Sequence, residues 1–342
     1  MAPTMHTSCG DLKDKRTLPS FRTPNNIDVR GRVGHEYHAE ANLLSGTLRR
    51  PIVQEIPEQA ALSLRDWRGG HLYQRAQGYD LEGLISFKSG YTRVSGYRGL
   101  KKGNPYVTLA TSVVEGLNIF DVLTADRVVA QISTEHPEGN GADLGHVPRV
   151  HFVGTQFVNL RISGRRVEAN FDSGIFAERP KGDVPYLHDA GFLKSVGDQI
   201  DEVLDPAKVA TIPEGLKERS DEFLKEYVEE SEEIARLKKT PKPKDGRDCE
   251  NPLVCTLVNT ISFPDGNIPG VIAARNVLYV RDLGIVSLGK VEVGRKIEDS
   301  DADGNPSFSN YFTLRMFDMR LGCVGDGKIV ALSGTGNGKV KP

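Results

Sequence analysis

Apolar and polar residues alternate along much of this chain, and a period of two is typical of strands with one buried side. The densest run of β-branched residues extends from Val107 to Asp172. Within it, residues 166–171 alternate between apolar and polar side chains, and Ser163–Gly164 has turn chemistry. We therefore expect two strand segments at 150–158 and 160–171, and we take the whole run as the core of a sheet.

Strand patterns return at Pro252 and continue towards the end of the chain. The two β-rich regions are of similar length, and we expect them to form one core. The predicted fold is mainly β, a β-sandwich or distorted barrel with a helical insertion. The predicted divisions are an extended N-terminal segment (1–60), a first β half (61–175), the helical insertion (176–245) and a second β half of the same core (246–342).

Helical periodicity appears in two segments of the insertion. The first, 188–206, is expected to end before Pro206, and the second follows Thr211–Glu214, which has the spacing of a capping box. Glutamates lie opposite the apolar stripe of the second segment, which favours a helix packed on the sheet with a solvated acidic face. A third, short helix is predicted over residues 35–46, ending at Gly46.

Composition limits the classes of partner and compartment. Lys plus Arg (44) nearly balances Asp plus Glu (46), so no overall field favours binding to nucleic acid or to an anionic membrane. The first twenty residues lack the apolar core of a signal peptide, and the four cysteines are too few for a disulfide framework. We expect a cytoplasmic protein in which Cys249 and Cys255 are free thiols, the alternative being a bridge between them.

One acidic segment has the residue types of a calcium loop. Asp299, Asp301, Asp303 and Asn305 supply oxygen ligands at alternate positions, with a glycine between the last two. The twelfth position of an EF-hand is a glutamate, but here it is Asn310, so the EF-hand interpretation fails. A Ca²⁺-binding hairpin loop of another type remains a candidate, and a solvated turn is favoured over it.

A second cluster contains His136, Asp143, His146 and His151. Three histidines and a carboxylate within a short segment are candidates for a metal site or an acid/base pair, with Asp121 or Asp126 as further members. His35 and His38 would share one side of the predicted short helix. In both places a structural role is favoured, because the spacing matches no mechanistic motif.

Two segments carry a family resemblance. SVVEGLNIFDVLTADRVVAQIS (112–133) and GTQFVNLRISGRRVEANFD (154–172) resemble the β-rich core of poorly characterised bacterial proteins of the choice-of-anchor P type. The resemblance implies a shared β core. It covers at most half of the chain, and its motifs are packing patterns, so it implies no functional residue. Those relatives are anchored surface proteins, whereas this chain is expected to have neither an export signal nor an anchor.

No catalytic signature emerges, which leads us to expect a non-catalytic binding or structural protein that self-associates through exposed edge strands. One alternative is an enzyme of the hydrolase or isomerase type with its site near the 136–151 loop. Another is a module that assembles or binds carbohydrate through Ca²⁺ at residues 299–305. No motif identifies a small-molecule ligand.

Overall fold

The structure, a computed structural model, describes residues 35–100, 105–137, 147–181, 184–239, 251–300, 306–322 and 326–340. These residues form twenty-one strands and three α-helices. The strands are β1 His35–Arg50, β2 Gln54–Ile56, β3 Leu62–Asp66, β4 Gly70–Ala76, β5 Tyr79–Leu81, β6 Ile85–Phe87, β7 Ser89–Arg98, β8 Tyr106–Ile119, β9 Leu123–His136, β10 Arg149–His151, β11 Gln156–Val158, β12 Arg161–Ile162, β13 Arg165–Arg166, β14 Glu168–Phe171, β15 Leu253–Thr256, β16 Val258–Ser262, β17 Val271–Ala274, β18 Val277–Val280, β19 Gly284–Ser300, β20 Pro306–Leu321 and β21 Asp326–Val340. The helices are α1 Ala190–Val203, α2 Pro206–Val209 and α3 Lys217–Lys239.

Two large antiparallel sheets form the body of the described chain. Sheet I has the order β17–β18–β19–β20–β21–β1–β2, with β15 beside β19 and β3 beside β1. Sheet II has the order β13–β12–β9–β8–β6–β5, with β7 linking β8 to β4, and with β10 and β11 on β9. A separate pair joins β14 to β16. The expectation of a mainly β fold with a helical insertion is confirmed, and the two open sheets form a sandwich.

The sheets pack face to face through apolar side chains and a few close backbone approaches. Ser112 Oγ donates a hydrogen bond across the interface to the carbonyl oxygen of Ser333 at 2.9 Å. The rings of Phe157 and Phe317 lie 5.0 Å apart between centroids. Leu43 of β1 packs over Gly90 of β7 so closely that a Cβ on Gly90 would lie 2.6 Å from its Cδ1 atom. The inner face of sheet I is thus tightly packed.

Four neighbouring strands of sheet I share one irregularity at the same level. One residue in each strand has no paired residue opposite it, while the residues on either side remain in register. We call these four residues the break row: Leu43, Leu332, Met316 and Gly289. Leu332 and Gly289 have positive φ angles of 51° and 60°. Each member of the row is buried beside a buried neighbour, so the alternation of buried and exposed residues changes phase there. The row resembles a β-bulge, except that each of the four strands adds one residue, so no register shift results.

Loops satisfy backbone groups at both ends of the break row. At one end, the Leu43 N–H donates to the Gln59 carbonyl at 2.9 Å, and the Gln59 N–H donates to the Leu44 carbonyl at 2.9 Å. At the other end, the Leu257 N–H donates to the Gly289 carbonyl at 2.9 Å. Buried backbone groups rarely stay unpaired, so these loops are part of the sheet's hydrogen bonding rather than appendages.

The helical insertion covers one end of the outer face of sheet I. Arg219 of α3 donates to the Leu321 carbonyl at 2.8 Å, and the Arg320 guanidinium lies 5.1 Å from the centre of the Phe223 ring. Gln199 of α1 exchanges two hydrogen bonds with the backbone of Thr256 in β15. Both long helices lie where the periodicity predicts them. The capping box does not form, because Thr211 donates instead to the Lys208 carbonyl at 2.7 Å.

The short helix predicted over residues 35–46 is wrong. These residues belong to β1, a long strand inside sheet I that pairs with β21 from His35↔Val340 onwards. Tyr37, Ala39 and Ala41 are buried and alternate with more exposed polar residues. Burial of this apolar side and pairing with β21 outweigh the local helix propensity of the Ala- and Glu-containing segment.

The two strand segments expected over 150–158 and 160–171 are only partly correct. Five short strands, β10 to β14, occupy this region instead. The turn at Ser163–Gly164 is correct, and both residues have positive φ angles, of 49° and 78°. The last strand, β14, leaves sheet II and pairs with β16, which accounts for the interruption.

The close packing of the sheets predicts a large effect at Gly90. The substitution Gly90→Ala places a methyl group 2.6 Å from Leu43 Cδ1 and 2.8 Å from the Val113 carbonyl oxygen, so the sheets must separate locally. We expect a loss of about 1–3 kcal/mol in the free energy of unfolding, measured by chemical denaturation. The matched control is Gly197→Ala in α1, where a Cβ meets open space and we expect a gain of about 0.5–1 kcal/mol. Equal effects for the two variants would contradict this account of the packing.

Candidate functional site

The outer face of sheet I is polar, and the part that α3 leaves open forms a cleft. Its cavity volume is about 390 Å³, and its lining comes from β1, β19, β20, β21 and the loop after β2. The lining residues are Glu40, Asn42, Ser45, Glu58, Glu292, Lys296, Tyr311, Thr313, Arg315, Lys328, Val330, Ser333 and Thr335. We call this surface the polar cleft.

The break row determines which side chains reach the polar cleft. Asn42, Ser333, Arg315 and Lys290 lie at the same level in adjacent strands and share the outer face. Under regular alternation, residues three apart would lie on opposite faces. Across the break row, however, Asp318 lies on the same face as Arg315, and it contacts Lys290 there. The bulge therefore brings charged residues from both sides of the row into one surface.

Both oxygens of the Glu292 carboxylate, which lines the cleft, accept hydrogen bonds from neighbouring side chains. Arg315 lies 2.9 Å from one oxygen of Glu292, and the Tyr311 hydroxyl donates to the other at 3.0 Å. Burial and the nearby carboxylate raise the pKa of Tyr311, so its hydroxyl remains a donor at neutral pH. These contacts hold three cleft side chains in fixed positions, as pre-organised binding requires.

The rest of the cleft is also ordered by side-chain contacts. The hydroxyls of Thr313 and Thr335 lie 3.0 Å apart on its floor, and the Lys296 ammonium lies 4.9 Å from the centre of the Tyr311 ring. At one side, His38 is hydrogen-bonded to Glu40 at 2.8 Å. This hydrogen bond outweighs partial burial and lowers the pKa of Glu40, so the carboxyl is ionised at neutral pH.

Where α3 covers the outer face, a buried ion pair replaces the open cleft. Lys290 Nζ lies 3.0 Å from Asp318 Oδ2, and both side chains are largely buried. Burial opposes ionisation of Asp318, but Lys290 together with Lys328 and Arg315 outweighs it and lowers the pKa of the carboxyl. Removal of either partner would leave a buried charge uncompensated, which makes this pair a structural constraint.

A second polar cluster lies beneath α3 and is closed to ligands. Glu230 accepts a hydrogen bond from the Val254 backbone N–H, and burial raises the pKa of its carboxyl to about 7. Beside it, Gln199, Tyr227 and Cys255 contribute to the lining of a cavity of only about 10 Å³. Such a cavity holds at most one water molecule. A group titrating near neutrality is present here, but no substrate can reach it.

Cys255, a free thiol, is buried in the same cluster. Its Sγ atom lies 3.5 Å from the Val291 carbonyl oxygen, and burial raises the pKa of the thiol. A buried thiol of raised pKa is a poor nucleophile. Cys249, the other member of the pair considered for a bridge, lies outside the described residues.

Of the histidine cluster predicted at 136–151, the structure describes two members and separates them. His136 is buried, its ring 4.9 Å from that of His35, whereas His151 is exposed on β10 and lies 3.5 Å from Glu135. His35 also stacks on Tyr106, with ring centroids 4.5 Å apart. Asp143 and His146 lie outside the described residues. The two described histidines therefore point into different environments, one aromatic and one solvated.

The two aspartates considered with that cluster stabilise turns. Asp121 accepts a hydrogen bond from the Asn118 side chain at 2.6 Å, and its own N–H donates to the Asn118 side chain at 3.0 Å. Asp126 accepts from the side chain of Asn159 at 2.6 Å. These bonds satisfy turn residues, including Asp121 and Asn159 with their positive φ angles of 54° and 51°.

The calcium-loop candidates remain a prediction. Asp301, Asp303 and Asn305 lie outside the described residues, and Asp299 is within β19 near its end. In the part of the chain that the structure describes, no three His, Cys, Asp or Glu side chains are grouped to hold a metal ion. Among the described helices, none combines the length and apolar character that a membrane crossing requires.

Comparison with known proteins identifies one family. The model of a family described as a domain of unknown function (DUF8256) matches residues 35–294. No curated protein and no solved structure gives a significant match. The resemblance to choice-of-anchor P proteins stays a prediction, because the matched family has no functional description.

The charge of Glu230 should make stability fall with rising pH. Its folded-state pKa of about 7 lies above the ordinary value of 4.5, so the folded protein holds this proton more tightly than the unfolded chain does. Ionisation of the buried Glu230 carboxyl costs free energy in the folded state, so the free energy of unfolding falls as pH rises from 4.5 to 7. Glu230→Gln keeps the acceptor for Val254 without the charge, so we expect the variant to be about 1–3 kcal/mol more stable than wild type at pH 8 and equal to it at pH 4. Denaturant titrations across this pH range measure the difference, and Glu229→Gln on the exposed side of α3 is the control, with no pH-dependent gain expected.

His35 should have the opposite dependence. Burial, with a contribution from the neighbouring His136, lowers its pKa to about 2, whereas the unfolded chain binds this proton below 6.5. Its contribution to stability is therefore full above pH 6.5 and is lost as pH falls towards 2, by about 1.4 kcal/mol per pH unit at most. We expect His35→Phe, which keeps an aromatic ring on Tyr106, to flatten the stability profile between pH 6.5 and 4. The same substitution at the exposed His151 is the control, and a flattened profile for both variants would refute the assignment to His35.

Proposed function

The chain belongs to this family of domains of unknown function, and we propose from its structure that it is a non-catalytic binding protein. Its ligand site is the polar cleft on the outer face of sheet I. The ligand class is a hydroxyl-rich, uncharged molecule such as an oligosaccharide. The cleft itself is the observation that carries the proposal, because it combines an open volume of about 390 Å³ with a fixed and mixed polar lining.

The charges of the cleft favour a neutral ligand. Three carboxylates, Glu40, Glu58 and Glu292, are balanced by the cations Lys296, Arg315 and Lys328. A site without net charge does not concentrate ions of one sign, as clefts lined by a single charge do. Carboxylates and guanidinium groups also form strong directional hydrogen bonds to hydroxyls, and both are present here.

The floor of the cleft supplies hydroxyl and amide groups. Thr313, Thr335, Ser333 and Ser45 offer hydroxyls that both donate and accept. The Oδ1 atom of Asn42 is buried and has no hydrogen-bond partner among the described residues. A buried unpaired acceptor costs about 1–3 kcal/mol, and a rotation of the Asn42 side chain towards the cleft would let a ligand hydroxyl remove this cost.

Catalysis is disfavoured by the state of the acidic groups. A general acid or base needs a pKa near the working pH and access to the substrate. In the cleft, Arg315 and Tyr311 engage Glu292, and the hydrogen bond from His38 lowers the pKa of Glu40. Glu230 has the required pKa but is enclosed beneath α3. For these three carboxyl groups, access and a suitable pKa therefore do not coincide.

A glycan array of neutral oligosaccharides, followed by calorimetry on the strongest binder, tests the proposal. We expect wild-type protein to bind at least one glycan and release no cleavage product. The double variant Thr313→Val with Thr335→Val removes two floor hydroxyls with almost no change of shape, and we expect its affinity to fall about tenfold or more.

The control variant is Thr111→Val in sheet II, which also removes a hydrogen-bonding hydroxyl, the one that donates to Gln131 at 3.3 Å. It should bind glycans as wild type does, and thermal melts should show that all variants fold. Absence of binding across the array, or equal loss in the control and in the cleft variant, contradicts the proposal. A hydrolysed glycan detected by mass spectrometry contradicts its non-catalytic part.

A further inference from the structure

Strand β4 presents an unused backbone edge. It lies at the margin of sheet II, and among the described strands it pairs only with β7, in an unbroken register from Gly70↔Gly96 to Ala76↔Gly90. Six of its seven residues are exposed. Among the described strands that have a single neighbour, β4 is the longest. One side of this strand thus offers a row of backbone N–H and C=O groups to another strand.

Most of the usual protections of an edge strand are missing from β4, in which Arg75 is the one Lys, Arg, Asp or Glu residue. Natural edges are commonly short, bulged, or marked by proline or by charges, lysine above all. The sequence of β4, GHLYQRA, contains no proline, lysine or acidic residue, and its pairing with β7 has no bulge. The other strands of the two large sheets that have a single described neighbour are shorter, with two to five residues. Among them, β4 therefore offers the longest regular edge.

Exposed apolar side chains are concentrated at the same edge. Trp67, Leu72, Tyr73 and Tyr97 have exposed fractions of 62%, 39%, 56% and 50%. Trp67 lies in the connection from β3 to β4, and Tyr97 adjoins Gly96, the partner of Gly70 in β7. Clustered exposed aromatic residues are typical of surfaces that become buried in a complex. This second observation is independent of the unpaired backbone.

The residue pattern of β4 is suited to antiparallel pairing with the β4 strand of a second copy of the chain. If two β4 strands pair antiparallel around a two-fold axis at Leu72, each His71 faces Tyr73 of the second copy, and each Gly70 faces Gln74 of the second copy. The two leucines meet at the axis, and aromatic and apolar cross-strand pairs of this kind stabilise sheets. Each Arg75 faces Gly69 of the second copy, so the two arginines lie about 20 Å apart along the strands, beyond the Debye length of roughly 8 Å.

We propose that β4 is a dimerisation edge, at which two copies of this chain pair antiparallel around Leu72 and join their two copies of sheet II into one continuous sheet. The contact is isologous, so each dimer uses both free edges and the assembly closes at two copies. This inference does not depend on the proposed ligand, because the polar cleft lies on the other sheet. A single strand pair with four exposed large side chains per copy is a small interface, so we expect a dissociation constant on the order of micromolar.

Sedimentation velocity on the full chain over a wide concentration series tests the proposal. We expect a reversible monomer–dimer equilibrium for wild type. Leu72→Lys places two ammonium groups against each other at the axis, and we expect dimer affinity to fall at least roughly tenfold. The matched control is Leu100→Lys at a fully exposed loop position, which should dimerise as wild type does.

A cross-link locates the axis and keeps the proposal testable if Leu72→Lys folds poorly. Residues facing each other across an antiparallel pair have Cα atoms about 4.5–5.5 Å apart, within disulfide reach. Leu72→Cys should therefore form a covalent dimer under mild oxidation, while Leu100→Cys and wild type remain monomeric on non-reducing gels. A strictly monomeric wild type overturns the proposal, as does a dimer that Leu72→Lys leaves intact and Leu72→Cys does not cross-link. Occupation of the edge by an acidic extended peptide in place of a second copy would also overturn it.

Discussion

The structure depends on one constraint in the backbone of sheet I, the break row. Four adjacent strands each contribute an extra residue at the same level, so the bulge is absorbed without a shift of register between them. A bulge confined to one strand would leave its neighbours mismatched, and every side chain beyond it would change face. Because all four strands change phase together, apolar residues continue on the inner face on both sides of the row. The loops at Gln59 and Leu257 complete the hydrogen bonding at the two ends of the row.

The outer face of sheet I is divided between two electrostatic environments. Under α3, Lys290 and Asp318 form a buried pair, whose removal from water must be offset by their mutual attraction. In the open cleft, Glu292 and Arg315 are similarly paired but remain partly exposed to solvent. The first arrangement joins β19 to β20 beneath the helical layer, and the second leaves polar groups on an open surface. The same strands therefore support the helical layer at one end and form the proposed ligand site at the other.

Much of the architecture could be predicted from local patterns, because strands and amphipathic helices repeat with different periods. Both long helices and the Ser163–Gly164 turn follow from such patterns. The failure at residues 35–46 has a physical cause, since alanine and glutamate favour a helix locally while the alternation of Tyr37, Ala39 and Ala41 fits a strand. Pairing with β21, far away in sequence, decides between the two.

The polar cleft could not be predicted in the same way. Its lining comes from β1 and from strands more than two hundred residues later, and each contributes polar residues such as Glu40 or Thr313 that are ordinary for the solvent side of a strand. Only the strand order brings them together. The histidines and aspartates that attracted notice in the sequence were close along the chain, and the fold separates His136 from His151. Proximity in sequence was the wrong criterion for this site.

The position of β1 between β21 and its neighbours β2 and β3 has a consequence for biosynthesis. Of the described strands, β1 is the first to leave the ribosome, and its long-range partner, β21, is the last. Translation proceeds at about 5–20 residues per second, so β1 waits for many seconds with a hydrophobic side and an open backbone edge. During this interval the nascent chain is exposed to mispairing, and a chaperone that shields β1 would act before the sandwich can close.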